Sequence, residues 1–198
     1  MKKLFCLLFI STFLTACAPP RPAAEPPENK PMPVEERQAK TRVVSSWELN
    51  GAMAVKSPKK SFTATVNWLQ RGGGQYQIRM LGPLGSGALV INKSGSAVTI
   101  QDGPKKFSSN SADKLFLQQT GVALPVSNLF YWVRGLAAPG AVDSTKRDAY
   151  NHLTMLKQAG YSIQYLSFTS VNGTDLPSKI QLTGRGLSIK FIIKHWRV

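Results

Sequence analysis

Cysteine is scarce in this sequence, and so are histidine, acidic residues and long apolar runs. Both cysteines, Cys6 and Cys17, lie close to the N-terminus, so a domain that follows them folds without disulfides. No apolar run approaches the roughly 20 residues that a membrane-spanning helix requires. We therefore expect a domain whose stability comes from packing alone.

The residue types that catalyse most reactions are also few. From Trp47 onward there are six acidic residues, with no close pair among them, and His152 and His195 are the only imidazoles. Residues 82–87 are rich in glycine but lack the Gly-Lys-Ser/Thr ending of a phosphate-binding loop, and no G-x-S-x-G elbow is present. A dispersed catalytic site stays possible, but the pattern favours a protein without catalytic residues, metal or cofactor.

The N-terminus has the pattern of a lipoprotein export signal. Lys2 and Lys3 precede a short apolar stretch, and residues 14–17 (Leu-Thr-Ala-Cys) match the bacterial lipobox. In this interpretation residues 1–16 are removed and Cys17 becomes the acylated first residue. Acyl chains contribute about 0.8 kcal/mol per buried methylene, so two or more chains would hold the protein on a membrane almost permanently.

A proline-rich segment follows Cys17. Seven of the 16 positions from Ala18 to Pro33 are proline, and such a composition stays extended at roughly 3.1 Å per residue. We interpret residues 17–33 as the acylated cysteine and its tether, and residues 34–198 as one globular domain.

Basic residues outnumber acidic ones by 25 to 10, and the formal net charge is +15. A basic protein is attracted to nucleic acid, acidic membranes or acidic proteins. An exported lipoprotein seldom meets nucleic acid, so membranes and proteins are the expected partners. The basic surplus can also serve solubility alone.

Most of the globular region alternates apolar and polar residues with a period of two, which predicts β-strands. Short links such as Asn172-Gly173 and Gly184-Arg185-Gly186 predict antiparallel neighbours. About ten strands follow from this pattern: 47–56, 62–68, 76–80, 88–92, 97–101, 105–108, 153–157, 161–169, 179–183 and 187–195.

Three segments have helical patterns instead. Residues 34–46 predict a polar helix, with acidic residues early and basic residues late, as the helix dipole favours. Residues 111–119 predict a second helix, capped by Asn110 or Ser111. A third begins at Pro125, and its apolar residues recur at i, i+3, i+4 and i+7. A strongly curved antiparallel sheet with helices laid across its open side accounts for this order.

Two features of the sequence allow alternative explanations. Apolar side chains occupy both faces of strands 88–92 and 187–195, so helices cover a solid core there, or the sheet encloses an apolar cavity. Leu84 lies at the tip of a predicted β-turn with Pro83 at its second position, where polar residues are usual. Its side chain either folds back onto the core or faces solvent to meet something apolar.

Three stretches of the sequence together resemble the LolB family. Residues 47–55 are similar to the family's first strand, although Asn50 stands where arginine is usual. Residues 83–86 resemble its protruding loop, with Gly82 in place of a common asparagine. Residues 124–136 (Leu-Pro-Val-Ser-Asn-Leu-Phe-Tyr-Trp-Val-Arg-Gly-Leu) resemble its most recognisable segment, and the lipobox agrees as well.

This resemblance implies a mainly β fold, an incomplete antiparallel barrel of about ten or eleven strands covered by about three helices and enclosing an apolar cavity. It implies an outer-membrane lipoprotein, anchored through Cys17 with its domain facing the periplasm. Such a protein accepts lipoproteins from the periplasmic carrier LolA and inserts them into the outer membrane, without enzymatic activity or cofactor. The implied partners of this monomer are the carrier, lipoprotein acyl chains and outer-membrane phospholipid, but not nucleic acid. The alternative is a LolB-like lipoprotein that binds another lipid or supports the envelope.

The resemblance also carries one functional residue across, the exposed loop leucine, which is Leu84 here. Full burial of a leucine contributes only about 1.5–3 kcal/mol, too little to anchor a domain that acyl chains already hold. We therefore expect Leu84 to act as a membrane-insertion residue in the release step. Our candidates for the lining of the apolar cavity are Met53, Val66, Trp68, Ile78, Leu129 and Trp132.

Overall fold

The computed structural model describes residues 25–58, 60–85 and 87–198. The predicted signal at residues 1–16, Cys17 and the first part of the predicted tether lie outside these residues. Within them, the chain forms eleven strands, three α-helices and one turn of 3-10 helix at Pro83–Gly85. The helices are α1 (Val34–Val43), α2 (Ala112–Thr120) and α3 (Val126–Trp132).

All eleven described strands belong to one curved, open antiparallel sheet. Its order is β6-β5-β4-β3-β2-β1-β11-β10-β9-β8-β7, so every neighbour is consecutive in the chain except the pair β1–β11. The predicted mainly β fold is therefore confirmed. The strands are β1 (Trp47–Lys56), β2 (Ser61–Arg71), β3 (Gln75–Leu81), β4 (Ala88–Ser94), β5 (Ala97–Asp102), β6 (Lys105–Ser109), β7 (Val142–Arg147), β8 (Leu153–Gln158), β9 (Tyr161–Val171), β10 (Thr174–Gly184) and β11 (Leu187–Arg197).

The pairing of β1 with β11 lies in the middle of the sheet and joins the first strand to the last. Its register shifts between Asn50 and Gly51, where Gly51 lies opposite Ile193. A Cβ atom on Gly51 would overlap the carbonyl oxygen of Ile192, so only glycine allows the two backbones to approach this closely. The close approach of β11 therefore explains why this position of the first strand is a glycine.

The concave face of the sheet carries the core, and helices α2 and α3 pack over it. Buried and exposed residues alternate along β1 and β2, as a sheet with one buried face requires. Helix α2 starts at a cap in which Ser111 Oγ accepts a hydrogen bond from the backbone N–H of Lys114 at 3.4 Å. Of the two predicted caps, Ser111 is therefore the one used.

Several predicted boundaries differ from the observed ones for identifiable reasons. Strand β7 was not predicted, because its six residues are almost all exposed and polar and show no alternation. Strand β10 starts at Thr174 rather than at the predicted Lys179, and it therefore includes Pro177, a residue that is unfavourable inside a strand. The register shifts on both sides of Lys179 and accommodates that proline. Helix α1 ends at Val43, three residues before its predicted end.

The described part of the proline-rich segment is bound to the domain rather than free of it. The carbonyl oxygen of Glu25 accepts hydrogen bonds from Ser170 N–H at 3.1 Å and from Thr169 Oγ1 at 2.8 Å. The N–H of Glu28 donates to Asp175 at 3.0 Å, and Asn151 donates to the carbonyl of Met32 at 2.8 Å. The segment therefore runs along β9 and β10 before helix α1 begins.

No helix among the described residues is long and apolar enough to cross a membrane.

Candidate functional site

An apolar cavity lies between the concave face of the sheet and helix α3. Strands β1 to β4 and β9 to β11 form its floor, while α3 and the loop before it form its cover. All of its described lining residues are apolar: Met53, Val66, Trp68, Ile78, Met80, Ile91, Leu124, Val126, Leu129, Trp132, Val133, Ile163, Ile180, Leu182, Ile189 and Phe191.

The structure places all six lining candidates from the sequence in the wall of this one cavity. Met53, Val66, Trp68 and Ile78 come from neighbouring strands, and Leu129 and Trp132 come from α3. The other lining residues were not named beforehand. Those on β9 to β11 follow the same alternation as the named ones, but their proximity to β1 depends on the β1–β11 pairing, which the local pattern does not reveal.

Two tryptophans in the cavity wall are fixed through their indole N–H groups. Trp68 Nε1 donates to Gln70 Oε1 at 3.0 Å, and Trp132 Nε1 donates to Gln158 Oε1 at 2.9 Å. Both glutamines are themselves buried and bonded to backbone groups. The indole N–H groups of both tryptophans are therefore hydrogen-bonded within the protein, and the rings present apolar surface to the cavity.

Helix α3 is fastened at both of its ends. Near its start, Asp113 of α2 accepts hydrogen bonds from the N–H and the Oγ of Ser127, each at 3.0 Å. Just beyond its end, the buried guanidinium of Arg134 donates to the carbonyl oxygens of Phe130 at 2.9 Å and Val44 at 2.6 Å. Burial lowers the pKa of Arg134 to about 10, so it is still a cation at neutral pH.

The cavity is narrow with α3 in this position. Its empty volume, including its opening to solvent, is about 650 Å³, but the part wide enough for a water molecule is only about 50 Å³. A water molecule occupies about 30 Å³ in the liquid. A long acyl chain therefore fits only if the wall moves, and α3 is a part of the wall that is held by side-chain packing and hydrogen bonds rather than by a strand ladder.

Leu84 lies in the 3-10 turn between β3 and β4, and its side chain is not among those described. The N–H of Gly85 donates to the carbonyl of Gly82 at 3.1 Å, which is the hydrogen bond of a β-turn with Pro83 at its second position. The turn is closed again by Gly82 N–H and the carbonyl of Gly87 at 3.2 Å. The backbone of Leu84 thus has the predicted turn conformation, and the role of its side chain stays a prediction.

The two histidines do not form a candidate catalytic site. His152 is buried, and its ring nitrogens lie 2.9 Å from Asp148 and 2.8 Å from Asp175. Because each ring nitrogen is hydrogen-bonded to a carboxyl group, the ring has no free nitrogen to act as a base. His195 lies on the exposed side of β11. In the described parts of the chain, no group of side chains suits a metal ion.

Comparison with protein families gives a match over most of the chain. The family model described as outer membrane lipoprotein LolB matches residues 45–196. An outer-membrane lipoprotein LolB of Pseudomonas syringae pv. syringae is 35% identical over 187 residues, which cover 93% of this chain and 90% of that protein. One from Coxiella burnetii (strain RSA 493) is 36% identical over 155 residues, covering 78% and 73%.

Comparison with solved structures supports the fold. A LolA superfamily protein from Nitrosomonas europaea superposes with a TM-score of 0.52 at 10% identity, covering 83% of this chain and 91% of that one. A DUF1329 family protein from Desulfovibrio piger gives a TM-score of 0.53 at 4% identity, covering 83% and 90%. At such low identity these likenesses concern the arrangement of strands and helices alone.

Proposed function

Because this chain belongs to the LolB family of outer-membrane lipoproteins, we propose that it receives lipoproteins from a LolA-type periplasmic carrier and inserts them into the outer membrane. Family membership implies a role in lipoprotein localisation; the transfer from the carrier and the insertion step are the proposal. The observation that carries it is the cavity between the sheet and α3, whose described lining residues are all apolar.

The energetics of acyl chains explain why such a cavity is needed. Each methylene of a chain exposed to water costs about 0.8 kcal/mol, so a lipoprotein with several long chains cannot cross an aqueous compartment unprotected. The chains must move from one apolar cavity to another before they enter the bilayer. A cavity without polar lining favours hydrocarbon over water, because it offers water no hydrogen-bond partners.

Uptake requires the cavity to widen, and we assign that movement to α3. The helix contributes Val126, Leu129 and Trp132 to the wall, and it is held by Asp113 at one end and Arg134 at the other. A helix of seven residues gains most of its stability from packing. Acyl chains that replace its contacts with the sheet can therefore compensate for its displacement.

Release into the bilayer is assigned to Leu84, and attachment to Cys17. An acylated Cys17 would keep the domain at the outer membrane with the cavity in the periplasm. The turn with Leu84 would then contact the lipid surface and favour transfer of the cargo into it. Leu84 cannot supply the anchoring energy itself, since one buried leucine contributes about 1.5–3 kcal/mol.

A transfer assay with purified carrier tests the proposal. The chain from residue 17 with Cys17→Ala is expected to remove a labelled lipoprotein from its carrier in solution. Leu129→Glu places a carboxylate at the half-buried cavity wall and should abolish this uptake, because a charge in an apolar cavity is strongly unfavourable. Leu117→Glu is the matched control, since Leu117 is 46% exposed on α2 and lies outside the cavity.

The same assay separates the alternative function. If the protein binds fatty acids in the cavity but takes no lipoprotein from the carrier, it serves another lipid. If Leu129→Glu leaves uptake unchanged, the cavity takes no part in uptake.

A further inference from the structure

A second depression lies on the convex face of the sheet, on the opposite side from the cavity. Four residues in register cross it: Ile192 on β11, Ala52 on β1, Thr65 on β2 and Leu81 on β3. Because paired residues point to the same face of a sheet, all four side chains project outward. Large side chains stand at the two ends of this row, and small ones occupy the middle.

The neighbouring row of outward-facing residues, two positions further along each strand, again has a large side chain on β11 and small ones on β1 and β2. Lys190 is paired with Ala54, and Ala54 is paired with Thr63. The floor therefore consists of Ala52, Ala54, Thr63 and Thr65, between a wall on β11 and a wall on β3. Three strand spacings of about 4.8 Å separate the walls, so the trough is about 14 Å wide between backbones. We call this depression the outer trough.

The outer trough is wide enough for a ligand and has an unusual surface for a water-exposed position. The part of the outer trough that is wide enough for a water molecule has a volume of about 460 Å³, compared with about 50 Å³ in the narrow cavity on the concave side. Ile192, in its wall, leaves 48% of its surface exposed. Lys190 is the charged residue among the described residues that line it. An apolar channel with a cation at its side suits a molecule that combines hydrocarbon with an anion.

The turn that carries Leu84 forms part of the trough wall. Gly82, Pro83 and Gly85 all line the trough, so the backbone of Leu84 lies at its edge. If this turn enters a bilayer, as the proposed function requires, the trough comes to lie at the level of the lipid headgroups. A surface held there meets phospholipid before it meets any other partner.

We propose that the outer trough binds a phospholipid of the target membrane, with an acyl chain along Ala52, Ala54, Thr63 and Thr65 and the phosphate at Lys190. The inference rests on the proposed function, because that function brings the turn with Leu84 to the bilayer. In this proposal the convex face orients the domain on the membrane, and the concave cavity holds the cargo. Bound phospholipid shields Ile192 from water and places the positive charge of Lys190 against an anion.

Vesicle binding tests the charge part of this proposal. The chain from residue 17 with Cys17→Ala is mixed with vesicles of zwitterionic phospholipid alone or with added anionic phospholipid, and the bound fraction is measured by flotation. Lys190→Glu should lower binding to the anionic vesicles at least about fivefold, because the loss of one cation at a charged surface already has that effect and the new carboxylate adds repulsion. Lys157→Glu, which reverses the charge of another exposed lysine, on β8, should change binding much less. Equal losses in both variants would show that net charge alone is responsible and would overturn the assignment.

The apolar part has its own matched pair. Ile192→Gln should weaken binding to both kinds of vesicle, whereas Leu166→Gln, at a leucine that is 51% exposed outside the trough, should not. A phospholipid with a photoreactive group in its acyl chain should label the outward-facing residues Ala52, Ala54, Thr63 and Thr65 of the parent protein, and Ile192→Gln should reduce that labelling. Labelling that is confined to cavity residues such as Met53 and Val66, or to the turn with Leu84, would overturn the proposal.

Uptake from the carrier separates this proposal from the function on which it rests. Lys190→Glu and Ile192→Gln should leave uptake in solution unchanged, because neither residue lines the cavity. If they impair uptake and leave vesicle binding intact, the trough contacts the carrier or its cargo, and the phospholipid assignment is wrong. If neither variant affects vesicle binding while Leu129→Glu still blocks uptake, the trough proposal fails and the transfer function stands.

Discussion

The guanidinium of Arg37 donates a hydrogen bond of 2.8 Å to the carboxylate of Asp175, and both side chains are almost wholly buried. This ion pair fixes helix α1 to strand β10. The same carboxylate lies 2.8 Å from His152 Nε2 and accepts the N–H of Glu28 at 3.0 Å. One buried carboxylate therefore holds the described end of the proline-rich segment, helix α1 and the loop before β8 together.

Removing one partner of this pair should destabilise the domain strongly. Arg37→Met leaves the carboxylate of Asp175 buried without its cation, which should lower the free energy of unfolding by about 3 kcal/mol. Urea denaturation measures the change. Arg42→Met is the control, because Arg42 lies on the same helix and donates its described hydrogen bond to Gln38 in an exposed position. Similar losses in the two variants would mean that the buried pair contributes little.

The pH dependence of stability should report Asp175. Burial alone would raise the pKa of this carboxyl, but hydrogen bonds from His152, the Glu28 N–H and Arg37 outweigh burial and hold the pKa below its ordinary value of 3.8. Below pH 3.8 the unfolded chain therefore binds a proton that the folded one does not. The stabilisation is complete above that pH and is lost as pH falls through the folded pKa.

Asp175→Asn should flatten that acid-side loss. The variant should be less stable than the parent at neutral pH. Its free energy of unfolding, measured by urea denaturation, should then decrease less than that of the parent from about pH 5 to about pH 2, the range in which a carboxyl group titrates. Asp148 also has a lowered pKa, since its hydrogen bonds with His152 and Tyr150 outweigh the effect of burial, so some dependence should remain. An unchanged acid slope in Asp175→Asn would contradict this role.

Leu84→Glu should separate uptake from delivery. Because only the tip of a turn is changed, folding and uptake from the carrier should persist, while delivery of the labelled lipoprotein into vesicles should fall. Leu84→Met, which keeps an apolar side chain, should deliver normally. Unfolding of the glutamate variant, measured by circular dichroism, would show instead that Leu84 belongs to the core.

Loosening the start of α3 should speed entry into the cavity. Asp113→Ala removes both hydrogen bonds to Ser127, so the helix should move away from the sheet more often. Uptake of a fluorescent fatty acid, followed by stopped flow, should become faster, and hydrogen exchange in α3 should increase. Asp102→Ala, at an exposed aspartate on β5, should change neither. Slower or unchanged uptake would argue against α3 as the moving wall.

The association rate with the carrier should depend on salt. With 25 basic and 10 acidic residues, the protein should attract an acidic partner, and this attraction weakens as ionic strength rises from low to physiological values. Stopped-flow mixing with labelled carrier at two salt concentrations measures the effect. A rate that does not change with salt would show that the basic surplus does not attract the carrier.

The course of the chain could be predicted well wherever side-chain direction follows a local period. Alternation in β1 to β3 placed Met53, Val66, Trp68 and Ile78 on one face, and those four line the cavity. Strand β7 lacks alternation because it is an exposed edge, so no periodic signal marked it. The residues of β10 and β11 that complete the wall could not be assigned, since their neighbours are set by pairing between distant segments.

Most strands, the proline-rich segment and the family resemblance could be recognised from the sequence by itself, because each depends on residues that are close together in the chain; the lipobox stays a prediction. Only the tertiary structure decided which apolar faces meet, since the β1–β11 pairing joins residues about as far apart as the chain allows. It also decided that Glu25 is bound to β9 instead of lying in a free tether. The outer trough likewise depends on register across four strands, and register is a property of pairing rather than of any one segment.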